Sequence, residues 1–145
     1  MMKKIILLFI AVVLAYGFIH EQGLVDPGIS KSVHNSDGIL QDAYNKHKSN
    51  IQIQGEGVVA KVLPDDRQGS RHQRFIIRLG TGQTLIVAHN IDIAPRIRNL
   101  KAGDRIAFSG EYKWNSRGGV IHWTHHNPNG RHQGGWLKHN GSIYQ

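Results

Sequence analysis

The pattern of apolar positions changes character three times along the chain. Ile5 to Leu14 is an unbroken apolar run behind Met1-Met2-Lys3-Lys4, and Ala15-Tyr16-Gly17 follows as a small-x-small triplet. That order of basic, apolar and small residues is the pattern of a secretory signal peptide. The other reading is an uncleaved N-terminal membrane anchor, although Ile5 to Ile19 falls short of the roughly 20 residues a span needs. Phe18 to Asn35 is polar, carries Gly23, Pro27 and Gly28, and reads as a linker. Ser36 or Asp37 then caps a short helix to about Lys48, with Ile39, Ala43 and His47 on one stripe and Leu40 and Tyr44 beside it.

From Ile51 onward the period is two, the period of strands. Ile51 to Leu63 forms a first strand, with Gly55 and Gly57 permitting sharp curvature, and Pro64 to Gly69 forms a loop. Gln73 to Leu79 and Gln83 to His89 are strands two and three, joined by Gly80-Thr81-Gly82. Ala94 to Leu100 reads as a helical turn, with Pro95 acceptable near its start. Arg105 to Trp114 and Val120 to His125 are strands four and five. Trp136 to Tyr144 is a terminal hairpin around Asn140-Gly141, a favoured type I′ pair.

Three strands, a short helix and two strands is the element order of an OB-fold, a five-stranded, partly open barrel. The expected fold is therefore mainly β: an OB-fold-like barrel with a short helix between strands 3 and 4, an N-terminal helix and a C-terminal hairpin. The expected organisation is a signal peptide over residues 1–17, a linker and short helix over 18–50, and the barrel with a His/Trp-rich extension over 51–145.

Strand register follows from core parity. Phe75, Ile77 and Leu79 share one face, as do Leu85 and Val87, and both sets face inward if Leu79 pairs with Gln83 across the turn. Gln73 then faces His89, and His72 faces Asn90. The outer face carries His72, Arg74, Ile76 and Arg78, with Ala88 and Asn90 alongside. OB-folds bind ligands on this face and between two flanking loops. One flanking loop holds Asp65, Asp66, Arg67 and Arg71, and the other Lys113, Trp114, Asn115 and Arg117. Trp114 suits base or sugar stacking among cations. Its parity with Phe108 and Tyr112 equally suits a core position.

Charge changes the picture modestly. The 145 residues carry 18 Lys and Arg against 10 Asp and Glu, a net charge of +8 with histidine neutral. Removing Lys3 and Lys4 leaves 16 against 10, a net charge of +6. This suits a polyanionic partner such as single-stranded nucleic acid, or an anionic membrane surface. The chain has no cysteine, so an exported form would rely on its packed core rather than on disulfides. Export places it in the periplasm or outside the cell, and nothing after the signal is long and apolar enough to span a membrane.

The histidines are the remaining chemistry. Seven of the 10 lie after residue 70. His122, His125 and His126 flank Trp123 on the fifth strand. His122-x-x-His125 looks like a zinc pair, but residues three apart on a strand point to opposite faces. His122 and His126 share a face about 13 Å apart at roughly 3.3 Å per residue. A divalent metal on His122, His125, His126 or His132 would need the chain to curl at Asn127-Pro128, or a ligand such as His139 or His89. Hydrogen-bonding histidines packed beside Trp123 are the plainer alternative. The binding candidates are His72, Arg74, Arg78, Asn90, Trp114, Arg117 and His122. The alternative function is a histidine-dependent, metal-assisted or metal-free phosphodiesterase or nuclease. In it His125 or His126 acts as base and Arg74 clamps phosphate. The Asp-Gly-Asp-Thr-type calcium turn of thermonuclease-like OB enzymes is missing: Asp65-Asp66 is no such turn, and Gly103-Asp104 enters the wrong strand.

The chain resembles an uncharacterised family of small exported bacterial proteins, classed as a domain of unknown function. The resemblance covers roughly Gly55 to Tyr144. It rests on Leu63-Pro64-Asp65-Asp66, His72-Gln73-Arg74-Phe75, Ala88-His89-Asn90-Ile91-Asp92, Gly110-Glu111-Tyr112, Gly119 to His126, Pro128 and Gly134-Gly135-Trp136. It implies no activity. It implies Asp at the position of Asn127, which weakens any carboxylate role there in this chain.

Overall fold

The computed structural model describes residues 27–145. The signal peptide read over residues 1–17, with its cleavage or anchoring, lies outside the described residues. Ser32–Gln145 is one compact unit. The elements are α1 (Pro27–Asn45), β1 (Ile51–Asp66), β2 (His72–Arg78), β3 (Thr84–Asn90), β4 (Arg105–Lys113), β5 (Val120–His122), β6 (Trp136–His139) and β7 (Ser142–Tyr144). Among the described residues no helix is long and apolar enough to cross a membrane.

The fold is mainly β, and five strands close into a ring. β1 pairs with β2, β2 with β3, β3 with β5, β5 with β4, and β4 returns to β1. All these pairs are antiparallel except β3–β5. The ring is OB-like. β1 serves two neighbours because it bends: its first half pairs with β4 and its second with β2, both reaching Val58. Gly57 sits at the bend, where a Cβ would lie 2.9 Å from the Arg78 carbonyl oxygen. β6 and β7 continue the sheet beyond β4, so the C-terminal extension is part of a seven-stranded mixed sheet. Its turn is as the sequence indicates, with Asn140 and Gly141 both at positive φ, 48° and 79°.

The register derived from core parity is present. Leu79 N donates to the Gln83 carbonyl, and His72 pairs with Asn90, Gln73 with His89 and Arg74 with Ala88. Phe75, Ile77, Leu79, Leu85 and Val87 are buried with Ile106, Phe108, Tyr112, Ile121 and Leu137. Arg78 is exposed, and His72 and Arg74 are half-buried on the opposite face.

Four expectations need correction. α1 begins at Pro27, not at Ser36 or Asp37, so residues 27–35 are helical rather than linker. Proline's fixed φ and missing N–H suit a first helical turn. The inward stripe is Ser36, Asp37, Leu40 and Ala43, while Ile39 and His47 are exposed. Asp37 Oδ2 accepts a hydrogen bond from Gly80 N, which ties the helix to the β2–β3 turn. Second, Pro64, Asp65 and Asp66 belong to β1, not to a loop. β1–β2 register shifts after Leu63 accommodate them.

Third, no helix stands between β3 and β4; residues 91–100 run through turns. Pro95 disfavours helical backbone at Ala94, and Asn99 lies at φ 58°. The Ile97 backbone is instead served by Gln73: Ile97 N donates to Gln73 Oε1, and Gln73 Nε2 donates to the Ile97 carbonyl, both at 2.9 Å. Gln73→Leu should strand this buried donor and acceptor. A loss of about 2 kcal/mol is expected in urea unfolding, and an unchanged midpoint would show that this pair contributes nothing.

Fourth, β5 ends at His122, three residues short of the strand read from sequence. Trp123 takes φ 54°, which turns the chain out of the sheet. Strand parity therefore does not govern His125 and His126.

Candidate functional site

The turn at Trp123 assembles the site. β3 and β5 are parallel, with Val87 opposite Ile121, which places Ala88 beside His122. The outer face of β2 and β3 thus continues onto β5. A pocket of about 200 Å³ lies at this end, lined by His72, Ala88, Asn90, Ile93, His122, Trp123 and His125. His122 and His125, expected on opposite faces, border the same pocket.

Each pocket imidazole has one nitrogen committed. His72 Nδ1 lies 2.8 Å from the Ser70 carbonyl, and His125 Nδ1 lies 2.7 Å from the His126 carbonyl. His122 Nε2 lies 3.0 Å from Glu111 Oε1. Carbonyl and carboxylate oxygens only accept, so these nitrogens carry the protons. The uncommitted atoms are His72 Nε2, His125 Nε2 and His122 Nδ1. Burial, opposed by the bond to the His126 carbonyl, holds His125 below the usual histidine range. Burial also lowers His122, against the pull of Glu111.

The supports lie behind the pocket. His89 is fully buried; its Nε2 donates to the Pro95 carbonyl at 3.1 Å, and its Nδ1 accepts from Thr124 Oγ1 at 2.9 Å. Burial pushes its pKa down to about 4, so it is a neutral strut. Glu111 bridges two histidines, with Oε2 accepting from His132 Nε2 at 2.7 Å. Burial acts to raise Glu111, but the bonds and charges of His132 and His122 together hold it below the usual carboxylate range. His132 stacks on Trp123 with centroids 4.1 Å apart and planes 7° from parallel. Its burial is outweighed by the Gln133 carbonyl and Glu111, so His132 is raised. Asn127 braces the loop that carries His132: Nδ2 donates to the His132 carbonyl, and Oδ1 accepts from Asn129 N.

The other sequence candidates lie elsewhere. Trp114 is packed against the core, its indole Nε1 donating to the Tyr44 carbonyl at 3.1 Å and its ring 4.2 Å from that of His47. Arg117 is exposed beside a second pocket lined by Gln41, Tyr44, Gly82, Gln83, Thr84 and Gly118. This is the α1 end of the ring, about 20 Å along β2 from His72 at roughly 3.3 Å per residue. Trp114 and Arg117 therefore do not join His72. Arg74 lies on the face itself, its Nε and Nη2 donating to the Pro64 carbonyl. His126 is exposed and does not line the pocket, and His139 is buried against Asp104. Among the described residues no three His, Asp or Glu side chains converge where one metal ion could sit.

A family model described as protein of unknown function (DUF3465) matches residues 24–145. The chain belongs to this DUF3465 family. A comparison with curated proteins found no match. The DUF3465 match takes in the whole ring, the pocket and the terminal hairpin, and it carries no activity.

Sequence reasoning missed Glu111, the stacking of His132 on Trp123, and Trp123 itself as a pocket wall. The register of β4 against β5 was the signal for the first. Pairing Lys113 with Val120 sets Glu111 opposite His122.

Proposed function

We propose that this exported DUF3465 domain binds single-stranded nucleic acid across the outer face of β2 and β3. One observation carries the reading: the outward positions of the two strands include His72, Arg74 and Arg78 and no carboxylate. Ile76, Ile86 and Ala88 lie between them, half-buried, as apolar surface against which bases can rest. Trp123 stands at the His72 end and can take the stacking role read for Trp114. A groove that combines cations with apolar and aromatic surface is the usual single-strand mode. The net charge of +6 that remains without Lys3 and Lys4 favours encounter with a polyanion. The signal-peptide pattern supports a periplasmic or secreted setting.

The test is fluorescence anisotropy with a labelled single-stranded oligonucleotide at about 50 and 200 mM salt, the range over which phosphate binding loses affinity steeply. Arg74→Ala with Arg78→Ala is expected to weaken binding by about tenfold and to reduce the salt slope by about two, one for each arginine–phosphate pair removed. Binding that is absent at low salt, or indifferent to the double change, would reject this face as the site. Preference for a non-nucleic polyanion would reject the ligand class while keeping the face.

A further inference from the structure

The pocket at the His72 end holds more chemistry than retention of a strand requires. We propose that it cleaves the backbone of single-stranded RNA by metal-free acid–base chemistry, with His125 Nε2 as base and His72 Nε2 as acid. The proposal rests on the binding reading above and adds an activity to it.

Three features point this way. First, His72 and His125 each present a single uncommitted nitrogen, because a backbone carbonyl holds the proton of the other. An imidazole fixed in this way takes or gives a proton at a known atom. Second, the histidines border one pocket without converging on a point. A metal needs convergence, whereas an acid and a base for in-line displacement must stand apart with the phosphate between them. Third, no carboxylate is among the lining residues, so nothing in the wall repels phosphate.

The neighbours complete the arrangement. Arg74 is two residues from His72 on the same face. The Pro64 carbonyl orients its guanidinium through Nε and Nη2. Nη1 is left to meet a phosphate oxygen. Asn90 Oδ1 accepts from Asp92 N, which leaves its Nδ2 hydrogens for the sugar or phosphate. A volume of about 200 Å³ equals about seven waters at ~30 Å³ each and suits a phosphate with its ribose. Burial lowers His125 and so favours the neutral imidazole that a base requires.

The step balances within the substrate and two imidazoles. The ribose 2′-oxygen attacks phosphorus, and its proton passes to His125 Nε2. The bond from phosphorus to the 5′-oxygen breaks, and that oxygen takes a proton from protonated His72. The products are a strand ending in a 2′,3′-cyclic phosphate and a strand beginning with a 5′-hydroxyl. Proton exchange with water resets both histidines. DNA has no 2′-hydroxyl and can bind without being cut.

The experiment incubates the purified protein, with and without EDTA, with a quenched fluorescent oligoribonucleotide and with its deoxy counterpart. Products are read by mass spectrometry, and DNA binding is read in parallel by anisotropy. RNA is expected to be cut to a cyclic phosphate and DNA to remain whole. His72→Gln and His125→Gln should each lower the rate by about 100-fold or more, while DNA binding weakens by far less. His72 is half-buried at the pocket, so His72→Gln keeps the test valid if His125→Gln fails to fold. Binding of both strands without RNA cleavage overturns this activity and leaves the binding reading intact. So does cleavage that His72→Gln does not slow, that EDTA abolishes, or that consumes DNA equally. Failure to bind either strand overturns both.

Discussion

Gly119→Ala should destabilise the ring by about 3 to 5 kcal/mol. Gly119 sits at φ 108°, a conformation closed to ordinary L-residues, and the surrounding space is occupied as well. A Cβ there would lie 2.1 Å from the Tyr112 ring. Tyr112 is fully buried and its hydroxyl donates to the Gly118 carbonyl at 3.1 Å, so the ring cannot step aside. The backbone cost is of order 1–3 kcal/mol and the overpacking cost is of similar size. Together they approach the whole stability of a marginal domain. Gly69 is the control: its φ is 74°, and nothing lies within 4 Å of a built Cβ. Gly69→Ala should cost only about 1 kcal/mol, the backbone part alone. Urea midpoints of the two variants check this, and equal midpoints would mean that Tyr112 yields. Because Gly119 immediately precedes β5, its loss should also disorder the pocket.

Acidification from pH 7.5 to 5 should remove about 2 kcal/mol of stability through His89, and about 3 kcal/mol by pH 4, since each pH unit separating the folded and unfolded pKa values is worth about 1.4 kcal/mol. His89 has its folded pKa depressed from 6.5 to about 4, mainly by burial. Below 6.5 the unfolded chain takes a proton that the folded one refuses, so stability falls as pH falls. The fall continues until the folded group also titrates near 4. His122 and His125 are depressed in the same direction and add to the fall, while His132, raised, opposes it. Stopping at pH 5 keeps the measurement above the range where the depressed carboxylates of Asp92, Asp104 and Glu111 begin to matter. His89→Gln, less stable at neutral pH, should show a much flatter profile. A wild-type midpoint that does not move between pH 7.5 and 5 would show that His89 is not a buried neutral strut.

Much of the fold was legible because its signals are local and periodic. The β2–β3 register follows from two apolar runs and a three-residue turn, which fix every partner from His72–Asn90 to Arg78–Thr84. The terminal hairpin follows from Asn140-Gly141 for the same reason. The segment between β3 and β4 is not the helix its sequence suggests because Gln73, 24 residues from Ile97, competes for the backbone that a helix would use. The early start of α1 is hidden because residues 27–35 carry little apolar pattern, and proline and glycine there read as a break.

The sequence alone established a mainly β domain, the inward and outward faces of β2 and β3, and a basic, cysteine-free, histidine-bearing composition. Those properties depend on side-chain alternation and composition, which no distant contact can reverse. Only the tertiary structure decided which candidates meet. Trp123 leaves the strand at positive φ, carrying His125 to the pocket that His72 and His122 already border. The same geometry leaves Trp114 and Arg117 at the far end, and sets Glu111 between His122 and His132. One backbone residue in an unusual conformation, held by packing across the parallel β3–β5 pair and by the Thr124–His89 hydrogen bond, set these meetings. No periodicity in the chain encodes it, because its stability comes from partners more than 30 residues away.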